Sequence, residues 1–199
     1  MAQFPAITVT RKTGNEAFQF DGRSLPIDLL SFWQWSASDL IGNALRGVLA
    51  EFIVASAIGC HGGTRTEWDA FDIETPEGIK IEVKSGAYIQ SWSQEKLSSI
   101  QFGIRPTQGW DAKTNVYSTQ SERRADVYVF CVLAHQVQET VEPLNLDQWV
   151  FYVVATKALD AAVGHQKTIT LSRLRQLEPL KASYGEIYQA IRRVLATGS

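Results

Sequence analysis

The chain has 199 residues, 45% hydrophobic and 20% charged, with a net charge of -2 and a pI near 5.9. That is the size of one domain with a sizeable core, expected to span 1–199 with residues 1–37 as an arm packed on it. The slightly acidic balance is not that of a strong non-specific polyanion binder, and no run of about 18 apolar residues offers a membrane span.

The arm opens with a short strand expected over residues 7–10. Phe18-Gln19-Phe20 followed by Asp21-Gly22 reads as a second strand and a turn. Residues 26–35 fit a short helix with proline at its start, and Phe32, Trp33 and Trp35 are expected to pack against the core. Next comes a helix expected over residues 38–58, N-capped by Ser38 or Asp39 and ended by Gly59. Its apolar period runs through Ile41, Leu45, Val48 and Phe52. Glu51 falls at helical spacing from Ala44, Gly47, Val48 and Ala55, a small apolar stripe. A carboxylate there either finds a cation or faces a cleft, because burying it unpaired is costly. The plainer alternative is a surface glutamate on the flank of an amphipathic helix.

A hairpin follows, and its register can be read from the letters. Thr75-Pro76-Glu77-Gly78 has proline and glycine where a type I turn with a following left-handed residue needs them. Thr75 then faces Ile79, Glu74 faces Lys80, Ile73 faces Ile81 and Asp72 faces Glu82. Alternation buries Ile73, Ile79, Ile81 and Val83 and turns Asp72, Glu82 and Lys84 to the other side. Asp69, of odd parity, is the less favoured acid. Two carboxylates facing each other repel, so the pattern calls for a cation such as Mg²⁺, with Lys84 near enough to steady water or phosphate charge. The alternative is a charged, solvated strand face.

Beyond the hairpin, Gly86 suggests a break in the strand, and Gln90, with Gln94 and Tyr88 behind it, could hold a phosphate or a water. Ordinary surface amides on a turn are the alternative. Residues 99–104 read as a strand, and 105–124 as a polar, mobile loop carrying Arg105, Lys113, Arg123 and Arg124. With Arg46, Arg65 and Lys84 these cations either border one cleft or lie scattered. The apolar runs 126–133 and 149–155 read as central strands, and 183–195 as a helix with Arg192 and Arg193 outward. Cys60 and Cys131 have no paired spacing and read as cytoplasmic thiols, with no sign of export at the start of the chain. His61, His135 and His165 show no ligand spacing.

A helix with Glu51, a strand with Asp72 and a strand with Glu82-Val83-Lys84, in that order, resemble the PD-(D/E)XK nuclease superfamily over residues 38 to about 135. The same stretch through Gln90, Trp92 and Gln94 is similar to one in a group of uncharacterised bacterial proteins. The resemblance implies an α/β, restriction-endonuclease-like fold, a mixed central β-sheet flanked by α-helices. It implies Asp72 and Glu82 as ligands of Mg²⁺ (or Mn²⁺), Glu51 as a supporting helix-borne acid, and Lys84 as the group that assists the nucleophilic water. Phe71 stands where the family usually has proline. The expected activity is metal-dependent hydrolysis of phosphodiester bonds, in DNA before RNA or free nucleotides, with a homodimer compatible and no membrane partner. A catalytically inactive nucleic-acid- or protein-binding module on the same fold is the rival.

Overall fold

The computed structural model describes residues 4, 7–65, 70–111 and 116–197. In chain order these form β1 (Ala17–Phe20), β2 (Arg23–Asp28), α1 (Leu29–Ser36), α2 (Asn43–Ala57), β3 (Ile73–Glu74), β4 (Lys80–Ala87), β5 (Gln101–Gly103), β6 (Thr107–Asp111), β7 (Val116–Glu122), β8 (Val127–Leu133), β9 (Trp149–Ala155), α3 (Thr156–Val163), β10 (Thr168–Thr170), α4 (Leu171–Gln176), β11 (Leu180–Ala182) and α5 (Ile187–Thr197).

Five strands make a mixed central sheet in the order β11-β9-β8-β4-β3. β8 lies in the middle, parallel to β4 and antiparallel to β9. Every residue of β8 is buried, because both faces of the sheet are covered, and a strand so covered needs a continuous apolar run. One face presents Ile81, Val83, Val129 and Leu133 to Ala50, Ile53 and Val54 of α2 and to Ile187 and Ile191 of α5. The opposite face carries Tyr128, Phe130 and Val154 against Phe102 of β5, Leu159 of α3, Ile169 of β10 and Leu174 of α4. The α/β class, a mixed sheet flanked by helices, is therefore the one expected.

The hairpin register holds where the turn dictates it. Ile73 pairs with Ile81, Glu74 pairs with Lys80, and the Thr75 N–H donates to the Ile79 carbonyl at 3.0 Å. Gly78, at φ +83°, supplies the left-handed residue of the loop. The ladder then stops. The Asp72 N–H donates to the carbonyl of Ile81, the residue already paired with Ile73, so Asp72 does not stand opposite Glu82 as a strand partner.

Other expectations are corrected. The helix begins at Asn43, not 38, since the Asp39 carboxylate accepts the Gly42 N–H at 2.9 Å in a turn that competes with helix. Its buried stripe is Arg46, Ala50, Ile53 and Val54, while Val48 and Phe52 are exposed. A helix apolar on several sides does not reveal by period alone which side is covered. No strand forms over 7–10, and Pro26 lies in β2, a strand of a separate two-stranded sheet, where proline is tolerated. α1 starts at Leu29 because Asp28 caps it, accepting the Ser31 N–H at 2.8 Å. Phe32, Trp33 and Trp35 are exposed instead of packed in the core. β4 runs unbroken through Gly86, and the presumed loop after 105 contains the β6–β7 hairpin.

Candidate active site

The site follows from the shortness of β3. Two residues long, β3 leaves the outer edge of β4 without a backbone partner from Val83 onward. An unpaired N–H on a buried strand is costly, and here the Asp72 side chain takes the role of the missing strand. Its Oδ2 accepts the Val83 N–H at 2.7 Å. The carboxylate is thereby fixed beside the very residue that separates Glu82 from Lys84.

That fixation has an electrostatic consequence. Burial pushes the Asp72 pKa up to about 6 from 3.8, and the neighbouring charge of Glu82 adds to it. The Val83 hydrogen bond pulls the other way, Glu51 raises it further, and Lys84 lowers it. Burial and the two neighbouring acids outweigh the Val83 hydrogen bond and Lys84, so Asp72 is harder to ionise than a free aspartate.

Glu51 arrives from α2. It shares with Asp72 a cleft of about 360 Å³ whose walls include Val48, Phe52, Phe71 and Arg65. Both alternatives drawn from its stripe hold together, since it faces a cleft and has a cation. Arg65 grips it in a two-pronged pair, Nε to Oε2 at 2.5 Å and Nη2 to Oε1 at 3.0 Å. Arg65 appeared in the sequence only as one cation among seven. Nothing in its spacing from Glu51 signalled the pair, because a loop of irregular backbone brings it round.

Glu82 and Lys84 project from β4 on the face opposite Ile81 and Val83, as alternation requires. Both are partly buried, and the Lys84 Nζ donates to Glu82 Oε1 at 2.5 Å. Tyr128 pairs with Glu82 in the parallel β4–β8 ladder. Its hydroxyl is pushed well above the ordinary phenol range, by burial first and then by Glu82. The sequence marked Tyr128 only as a member of a central strand, since the β4–β8 register is set by packing and not by any local turn.

Gln90 stands apart. It is 7% exposed and does not line the cleft. Its Nε2 donates to the Ala87 carbonyl at 2.9 Å, and its Oε1 accepts from Arg46 Nη1 at 3.1 Å. Gln94 accepts the Gln90 N–H and donates to the Tyr88 carbonyl, so the amides stitch the loop after β4 together. The described members of the set of seven cations do not all border one cleft. Arg46 is buried at the start of α2, Arg123 is pinned to Asp160 and to the Ile104, Gly164 and Gln166 carbonyls, and Arg124 pairs with Glu122. Arg65 and Lys84 are the two that stand on acids of the site. Lys113 and Asp69 lie outside the described residues.

Among the described residues, no three histidine, cysteine, aspartate or glutamate side chains form a group that could hold a metal ion. Glu51 and Glu82 are each turned into an ion pair. The donors Asp72 and Glu82 offer oxygen only, the chemistry of a hard cation, and Asp72 is buried beside a second acid that raises its pKa. None of the described helices is long and apolar enough to cross a membrane.

Comparison with curated proteins gives no match. Comparison with protein-family models matches residues 29–173 to the family described as bacteriophage T4 endonuclease IV. The matched span runs from α1 into α4 and contains Glu51, Asp72, Glu82 and Lys84. It takes in well over half of the 199 residues, and the chain accordingly belongs to the bacteriophage T4 endonuclease IV family, a family of nucleases.

Proposed function

We propose that the chain hydrolyses phosphodiester bonds in DNA with Mg²⁺ or Mn²⁺, on a restriction-endonuclease-like frame of the PD-(D/E)XK kind. The observation that carries this reading is the Asp72 carboxylate, fastened to the Val83 N–H between Glu82 and Lys84 and buried beside the Glu82 acid. Asp72 and Glu82 would hold the cation. Two carboxylates suffice for Mg²⁺, which takes its remaining oxygens from phosphate and water. Glu51 supports them from the cleft wall. When bound, the cation supplies Lewis acidity and stabilises the leaving oxygen. Lys84, paired with Glu82 in this structure, would turn to the attacking water, orienting it through an Nζ hydrogen bond and offsetting the charge that grows on the phosphate. Gln90 is assigned a positioning role: it ties Arg46, and hence the start of α2, to the loop after β4. The free thiols Cys60 and Cys131 fit a reducing cytoplasm.

The purified chain should cut plasmid or single-stranded circular DNA with Mg²⁺ or Mn²⁺ and stop when the metal is chelated. Lys84→Ala should lower the rate about 10²–10³-fold, the usual loss for one electrostatic group, with an unchanged circular dichroism spectrum. Cleavage undiminished in that variant removes Lys84 from the mechanism, and cleavage undiminished by chelation removes the metal.

A second reading, a catalytically inactive nucleic-acid- or protein-binding module, draws on one observation: Glu51 and Glu82 already carry cations of the chain itself. Calorimetry separates the two, because this reading expects no heat of Mg²⁺ or Mn²⁺ binding at millimolar metal.

A further inference from the structure

The segment before α2 has secondary structure but almost no interior. β1 and β2 form a two-stranded sheet separate from the central one, and α1 buries none of its residues. Neither hydrophobic core includes any residue of the three elements. The hairpin is two-faced. Gln19 pairs with Ser24, and their side chains hydrogen-bond at 2.9 Å on a polar side. Phe18, Phe20, Leu25 and Ile27 belong to the opposite parity and are all exposed. α1 follows directly and exposes Phe32 and Trp35, the latter at 85%, while Trp33 on another side of the helix lies against Gly14 and is 37% exposed. An isolated two-stranded hairpin is marginal in water, and so is a helix of eight residues. Alternating apolar residues that find no core in their own chain are cut to fit another surface.

We infer that this surface is the dimer interface, covered by the same surface of a second copy of the chain. Charge favours that occupant. From residue 7 to 38 the arm carries Arg11, Lys12 and Arg23 against Glu16, Asp21 and Asp28, a balance that leaves no excess to grip a polyanion and no net charge to hold two copies apart. Area agrees. The five aromatics Phe18, Phe20, Phe32, Trp33 and Trp35, at 37 to 85% exposure, present roughly 550 Å². Leu25, Ile27 and Leu30 bring the apolar surface the arm exposes to roughly 800 Å², the share one partner contributes to a standard interface. The contact is isologous, hairpin face on hairpin face with α1 alongside, and a closed pair leaves no patch for further growth. It does not depend on the nuclease reading.

The test is the mass of the full chain by light scattering or sedimentation at micromolar concentration. The expected result is a species at twice the 22.2 kDa chain mass. Phe20→Asp and Trp35→Asp should each weaken dimerisation roughly thirtyfold or more, the loss of one hot spot, while Val137→Asp, at an exposed residue outside the arm, leaves it intact. Circular dichroism shows whether the variants keep the central fold. If they do not, amide exchange on the wild-type chain decides: protection over residues 17–36 should rise with protein concentration. A wild-type monomer, a dimer indifferent to both arm substitutions, or concentration-independent exchange there overturns the inference. So does a monomer whose binding to a single-stranded oligonucleotide is lost with Trp35→Ala, which would give the surface to bases instead.

Discussion

Asp72 does two things at once, and they pull against each other. It completes the edge of β4 by accepting the Val83 N–H, and it does so in a place that disfavours its charge. A carboxyl whose folded pKa lies above its unfolded value binds its proton more tightly when folded. Below about 3.8 both states are protonated and there is no cost; the cost builds as pH rises from about 3.8 to about 6, where only the unfolded chain gives up its proton readily, and is constant above that. The shift corresponds to something on the order of 3 kcal/mol at pH 8, before any cation is added. Asp72→Asn keeps an acceptor for Val83 and removes the charge. It should therefore raise the metal-free melting temperature at pH 8, with the advantage fading as pH falls from about 6 to about 4, while DNA cleavage is lost. Lower stability than wild type at pH 8 would show that the hydrogen bond outweighs the charge.

Among the elements, β4 connects the core to the chemistry. Its odd residues build one face and its even residues carry Glu82 and Lys84, so anything that moves the strand moves the site. Gly86 keeps it straight where β5 comes closest. A Cβ at Gly86 would lie 2.6 Å from Ile100 Cγ2 and 3.2 Å from Phe102 Cε1, a contact too tight for even alanine. The glycine that suggests a break in the sequence is thus a point of close approach. Gly86→Ala should cost about 1–3 kcal/mol, read as a lower urea midpoint at unchanged slope. In an Ile100→Ala background the same change should cost much less, and equal costs in the two backgrounds would mean the clash is not the cause.

For the molecule as a whole, the acidic cleft and the fold are linked through whatever cation the site takes up. A ligand that binds only the folded chain stabilises it, by about 2.7 kcal/mol at a hundred times its dissociation constant. For a chain of this length that is a rise of about 5–10 °C in melting temperature. Mg²⁺ should produce it in wild type and not in Asp72→Asn or Glu82→Gln. An equal rise in all three would place the bound ion elsewhere.

Local chemistry and simple periods were enough for a good part of this. The 73–83 hairpin, its turn, and the parity of Glu82 and Lys84 follow from Pro76, Gly78 and the two-residue repeat of a strand. The runs centred on Val129 and Val153 declared two central strands because a strand covered on both sides must be apolar throughout. What lay between residues 156 and 182 was not legible, as α3, β10, α4 and β11 are each eight residues or fewer and too short for a period to establish itself. The covered side of α2, the Arg65 clasp on Glu51, the withdrawal of Gln90 behind Arg46 and the stand of Tyr128 beside Glu82 were settled only by the tertiary structure. Each depends on which distant segment arrives opposite a given side chain, and that is decided by packing among elements far apart in the chain, not by the residues next to it.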